Sequence, residues 1–165
     1  MPQLGKFLLD NGFRTELITM NPHLCNAPLK QAAPAELIQH LQNFYDHTRE
    51  PRFKESSRQF LEFMASGGEL TVRIPSPADI QREISLGRPL LALLTSAFLT
   101  SARPGFNFHF NVITGIDDRS VYVNDPRSDS WGGERAYPID DFFFALFASA
   151  YGDLDNASLL CIEQS

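Results

Sequence analysis

The sequence predicts an α+β domain, with a helical N-terminal half and an antiparallel sheet in the C-terminal half. Three observations carry this. Apolar residues recur at helical spacing between Pro34 and Met64. From Arg88 onward the pattern changes to short apolar or alternating runs bounded by turn residues. The 165 residues, 43% hydrophobic and 21% charged, match the size and composition of one globular domain spanning 1–165.

Taken in order, residues 4–10 predict a short helix that stops at Asn11-Gly12. Phe13 to Met20 alternates weakly and reads as a strand, and Asn21 to Ala33 is a loop punctuated by Pro22 and Pro28. Pro34 suits a first helical turn, and Leu37, Leu41, Phe44 and Tyr45 then share one face. Pro51 interrupts this helix. A second runs from about Arg52, with Phe53, Phe60, Leu61 and Met64 on one side, to Gly67-Gly68. Glu69 to Ile74 reads as a short strand. Ser76-Pro77-Ala78-Asp79 is an N-cap, a first-turn proline and an acid favoured by the helix dipole. That helix carries Ile80 and Ile84 inward and ends at Gly87.

Pro89 to Leu94 is an unbroken apolar run, as expected for a strand covered on both faces. After a loop at Thr100 to Gly105, His109 to Ile116 and Ser120 to Asn124 form a hairpin across Asp117-Asp118-Arg119. Asp125-Pro126 ends it, and Trp131-Gly132-Gly133 is loop. A last helix, capped by Asp140, carries Phe143, Phe144, Phe147 and Tyr151 on its inner stripe. It is apolar nearly all round, as deep burial or a partner surface requires. Ser158 to Ile162 closes the chain as a strand.

Composition also excludes whole classes. Twenty acids against 14 bases give a net charge of -6 with no basic cluster, so a nucleic-acid partner is not expected. No stretch approaches the roughly 18–20 apolar residues of a membrane span. Two cysteines, Cys25 and Cys161, make neither a disulfide framework nor a thiolate zinc site, which needs about four ligands. No phosphate loop or nucleotide fingerprint appears, and the expectation is no cofactor and no metal. The first residues hold only three consecutive apolar positions before Asp10, too short for a signal-peptide core. A cytoplasmic location is expected unless a segment lies upstream. Oligomeric state is open.

Among four histidines, His23 sits in a proline-bounded loop, while His40 and His47 lie near the polar side of a helix. His109 differs. It begins a core strand, among apolar residues that desolvate it, and Asp125 ends the neighbouring strand of the same hairpin. A turn centred on Asp118-Arg119 pairs residues whose numbers sum to about 237, which sets Asp125 opposite residue 112 and leaves about 10 Å of offset. A bulge, strand twist or a bend at Asp125 must close that gap. A closed pair has a purpose: the carboxylate keeps one ring nitrogen protonated so that the other can accept a proton from a nucleophile. The alternative is a histidine satisfied by backbone and an aspartate turning the chain before Pro126.

The stretch His109-Phe110-Asn111-Val112-Ile113-Thr114-Gly115, followed by a strand ending in Asp125-Pro126, resembles the papain-like C39 and C39-like cysteine peptidases. Gly87-Arg88-Pro89 resembles the Gly-x-Pro that opens a central strand in that family. Trp131-Gly132-Gly133 and the segment 137–144 resemble its glycine-containing loop and closing helix. The resemblance covers residues 79–147. It implies a papain-like fold, His109 as general base, Asp125 as the residue orienting it, and a peptide or polypeptide substrate.

In the resembled family the nucleophile is a cysteine at a helix start near the N-terminus, with a glutamine shortly before it. No such segment occurs here, and Leu4 to Leu17 resembles the helix and strand located after that catalytic helix. The expectation is a C39-like cysteine peptidase represented without its nucleophile and inactive as it stands. An inactive peptide-binding module and a structural interaction domain are the alternatives. Cys25 lacks the helix N-terminus that lowers a thiol pKa, and Cys161 reads as a small buried hydrophobe. Arg103, in the loop before His109, is a candidate for a ligand carboxylate, although a solvated arginine is the simpler reading.

Overall fold

The computed structural model describes residues 1–21, 24–100, 107–128, 132–152 and 157–164. Helix α1 (Pro2–Asp10) leads into strand β1 (Phe13–Thr19), and helices α2 (Pro34–His47) and α3 (Pro51–Ala65) follow. Strand β2 (Glu69–Val72), helix α4 (Pro77–Ser85), strand β3 (Leu90–Thr95) and helix α5 (Ser96–Thr100) come next. Strands β4 (Phe108–Ile116), β5 (Ser120–Asp125) and β6 (Gly133–Pro138), helix α6 (Ile139–Gly152) and strand β7 (Ser158–Gln164) complete the chain.

The fold is α+β. One seven-stranded sheet runs in the order β2-β1-β7-β3-β4-β5-β6. Among the described residues only β1 and β2 pair in parallel; the other neighbours are antiparallel. The last strand, β7, sits between β1 and β3 and so welds the helical half to the hairpin half.

Period-two alternation sorts the strand residues onto two cores. Ile18, Leu90, Ala92, Leu94, Ile113, Val121, Val123, Leu159 and Cys161 pack with Ile80 of α4 and with Phe142 and Leu146 of α6. On the opposite face, Leu17, Leu70, Val72 and Leu160 pack with Leu37 and Leu41 of α2 and with Phe60 and Phe63 of α3. The unbroken apolar run of β3 therefore divides evenly: Leu90, Ala92 and Leu94 go to the first core, Leu91 and Leu93 to the second.

Helix α4 is fixed by charge as well as by Ile80. The Asp79 carboxylate accepts from the Ser76 backbone N–H at 2.8 Å and from Arg73 Nη1 at 2.6 Å, with a second Arg73 contact through Nη2. Arg82 donates to Glu83 at 2.7 Å and to Glu16 of β1 at 3.1 Å. Arg88 donates to Glu163 of β7 at 2.6 Å. Arg82 thus ties α4 to β1, and Asp79 ties it to Arg73 just after β2, so the helix cannot slide over the sheet without breaking several charge-assisted bonds.

Four features depart from the sequence expectation. Within the expected loop 21–33, Ala27–Leu29 forms a 3-10 turn, and Asn21 and Cys25 bridge through their backbones. Helix α5 fills residues that the sequence left unassigned before the expected loop, sharing only Thr100 with it, and residues 101–105 of that loop lie outside the described residues. Strand β6 was not expected, because its Gly-Glu-Arg-Ala-Tyr-Pro sequence alternates weakly on a sheet edge. The inner stripe of α6 is Phe142, Phe143, Ala145, Leu146 and Ser149, whereas Phe144 is 58% and Phe147 38% exposed. A helix without a polar side gives no phase from which to read that stripe. The side chain of Tyr151 lies outside the described residues.

Candidate active site

On β4, His109, Asn111 and Ile113 share one face, and the register with β3 sets His109 beside Leu94 and Ile113 beside Leu90. This is the face covered by α4 and α6. On β5, Val121, Val123 and Asp125 are buried on the same face, and Tyr122 and Asn124 point away. Whether Asp125 can meet His109 is a question of register.

Near the turn the pairs are Ile116–Val121 and Gly115–Tyr122, the register that the turn predicts. Beyond it they are Ile113–Val123 and Val112–Asn124, so Thr114 is an extra residue in β4. This bulge shifts the remaining pairing by one. Continued one step, the shifted register sets Asp125 opposite Asn111 instead of Val112. A one-residue slip exchanges faces, so the bulge brings Asp125 onto the face of His109. The two residues become diagonal neighbours, whose backbones lie about 7–8 Å apart, within reach of these side chains.

The side chains do meet. His109 Nε2 and Asp125 Oδ2 are 2.6 Å apart. A carboxylate only accepts, so Nε2 carries the proton and Nδ1 is left as the basic nitrogen. Nδ1 has no partner among the described residues. The Asp125 side chain is 1% exposed and that of His109 20%, so the acid is sealed while the ring keeps an open edge. The second oxygen of Asp125, Oδ1, accepts the backbone N–H of Arg127 at 3.0 Å. The turn before Pro126 and the contact with His109 thus use different oxygens of one carboxylate. Nearby, burial and then the charge of Asp125 push the Tyr137 phenol above its ordinary pKa.

The other predicted residues fall elsewhere. A ring nitrogen of His40 bonds the Leu24 carbonyl at 2.8 Å, and one of His47 bonds the Asn43 carbonyl at 2.7 Å. Cys25 is 1% exposed in the core on the opposite face of the sheet from His109. Cys161 is 4% exposed and pairs with Leu90, four residues along β3 from the partner of His109, about 13 Å at strand rise. Burial pushes both thiols up to about 12. His23, Arg103 and Trp131 lie outside the described residues. Two residues of this site escaped the sequence reading: Thr114, which absorbs the register shift, and Asn111, a 2% exposed amide among apolar neighbours. Asn111 had a legible signal, a polar residue at an inward position of an apolar strand.

The histidine–carboxylate pair thus lies at one end of the β4–β5 hairpin, on one face of a two-faced sheet. The Peptidase_C39 like family model matches residues 31–158, and the chain belongs to that family. A crystal structure from Bacillus anthracis named as a C39-like peptidase is similar over 55% of this chain and 48% of its own, about half of each, with 18% identity and a TM-score of 0.40. No curated protein matches the sequence significantly. Among the described residues no helix is long and apolar enough to cross a membrane.

Proposed function

We propose that the chain supplies the base and its orienting acid to a C39-like cysteine peptidase acting on peptide bonds. The observation that carries this reading is the 2.6 Å contact between Asp125 and Nε2 of a partly exposed imidazole. It leaves Nδ1 to take the proton from a thiol. The thiolate then attacks the peptide carbonyl, the carbon–nitrogen bond breaks, and the imidazolium returns the proton to the departing amine. Water, deprotonated by the same nitrogen, hydrolyses the resulting thioester.

Neither Cys25 nor Cys161 is that thiol, being buried, protonated and remote from the ring. On this reading the attacking sulfur is not among these 165 residues, and the chain alone does not turn over peptide. The burial of both cysteines favours a second reading, a module that holds extended peptide without cleaving it, although such a module has no need of the His109–Asp125 pair.

The test uses the chain with an activated peptidyl thioester and a freely diffusing alkyl thiol. Transfer to the thiol is expected to accelerate in the presence of the chain. His109→Ala is expected to lower that acceleration about a hundredfold, the low end of the usual span for general-base assistance, and Asp125→Ala to lower it in the same direction. Peptide binding with no acceleration that depends on His109 would establish the binding module instead.

A further inference from the structure

The buried face around the His109–Asp125 pair is mainly apolar, and the hydroxyls of Thr95 and Ser149 there donate to main-chain carbonyls of α6. Asn111 is 2% exposed, flanked on its own strand by His109 and Ile113 on the same face and set opposite Ala92 of β3. The shifted register of β5 places it opposite Asp125. Its Nδ2 donates to the backbone carbonyl of His109 at 3.2 Å. Its Oδ1 is buried with no hydrogen-bond partner among the described residues.

An aliphatic residue at this point would bury more apolar surface and leave no orphan acceptor, whose desolvation is unfavourable. The amide is therefore poorly explained by stability alone. What it does contact is the main chain of the histidine itself.

We infer that Asn111 is a positioning residue for His109: by holding the carbonyl of that residue from two positions along the strand, it fixes the direction in which the ring leaves β4 toward Asp125. This rests on the reading of His109 and Asp125 as a working pair. Asn111 touches no reacting atom. Its effect passes through the orientation of the imidazole and hence through which nitrogen holds the proton.

The test is ¹⁵N NMR of the His109 ring, which distinguishes the two tautomers, combined with thermal unfolding. In Asn111→Val the share of the Nδ1–H tautomer is expected to rise about fivefold, the ratio that one ordinary hydrogen bond controls. The thermal midpoint is expected to stay level or rise. Asn111→Ala, which removes the clamp without adding bulk, is expected to move the ring in the same direction. An unchanged ring in both variants with a lowered midpoint would overturn the inference and make Asn111 merely structural. Asp125→Ala separates the two claims. A ring that responds to Asp125→Ala but not to the Asn111 variants sinks only this inference, and one that ignores Asp125→Ala sinks the pair itself.

Discussion

The bulge at Thr114 shifts the pairing of β4 with β5 by one residue, which sets Asp125 on the face of His109. Counting from the turn gives the pairing of Ile116 and Gly115 correctly, yet misses the shift one residue later. Both members of the candidate pair were legible, because a histidine flanked by apolar residues and an Asp-Pro strand end stand out in sequence. Their contact was not, because a bulge is a backbone event that side-chain periodicity does not encode. The bulge has an unusual consequence. Deleting Thr114 removes the extra residue while keeping every pair on either side, so the His109–Asp125 bond is expected to survive. The crystal structure or ring ¹⁵N shifts of the deletion variant would check this, and a separated pair would refute the assigned register.

At the scale of elements, α4 shows how local sequence and long-range charge cooperate. Its start was legible from Ser76-Pro77-Ala78-Asp79, but the Arg73 contact that makes Asp79 more than a cap was not. Burial of Asp79 works to raise its pKa, and the bonds from Arg73 and Ser76 outweigh this and hold it below the ordinary carboxylate value. The sign follows from linkage: a depressed folded pKa gives stability that is complete above the unfolded value, near 3.9, and is lost as pH falls through the lower folded value. Asp79→Asn is thus expected to cost about 2 kcal/mol at neutral pH, below the roughly 3–5 kcal/mol of a fully buried ion pair because the Arg73 side chain is 34% exposed. The gap to the wild type should close below about pH 4, as denaturant titrations at several pH values would reveal. A gap independent of pH would mean that Asp79 acts by packing alone. Elements with clear period or caps, such as α2, α3 and the hairpin, were readable in this way. Strand β6 and the phase of α6 were not, since an edge strand alternates weakly and an all-apolar helix has no marked side.

Across the whole molecule, the sheet separates two populations of buried groups. Cys25 is sealed on the face lined by α1, α2 and α3, and the histidine–carboxylate pair lies on the other, so no rearrangement of side chains alone could join them. The apolar periodicity argued for an α+β domain, and the sheet supplies the detail that periodicity could not: β7 returns to the centre and couples both halves. The proposed function rests on family membership and on the contact between His109 and Asp125. The most direct test is the protonation pattern of the His109 ring, read by ¹⁵N NMR near neutral pH in the wild type and in Asp125→Ala. The expected result is a proton on Nε2 in the wild type and a mixture of tautomers once the carboxylate is gone. A proton on Nδ1, or a ring indifferent to the loss of Asp125, would contradict it.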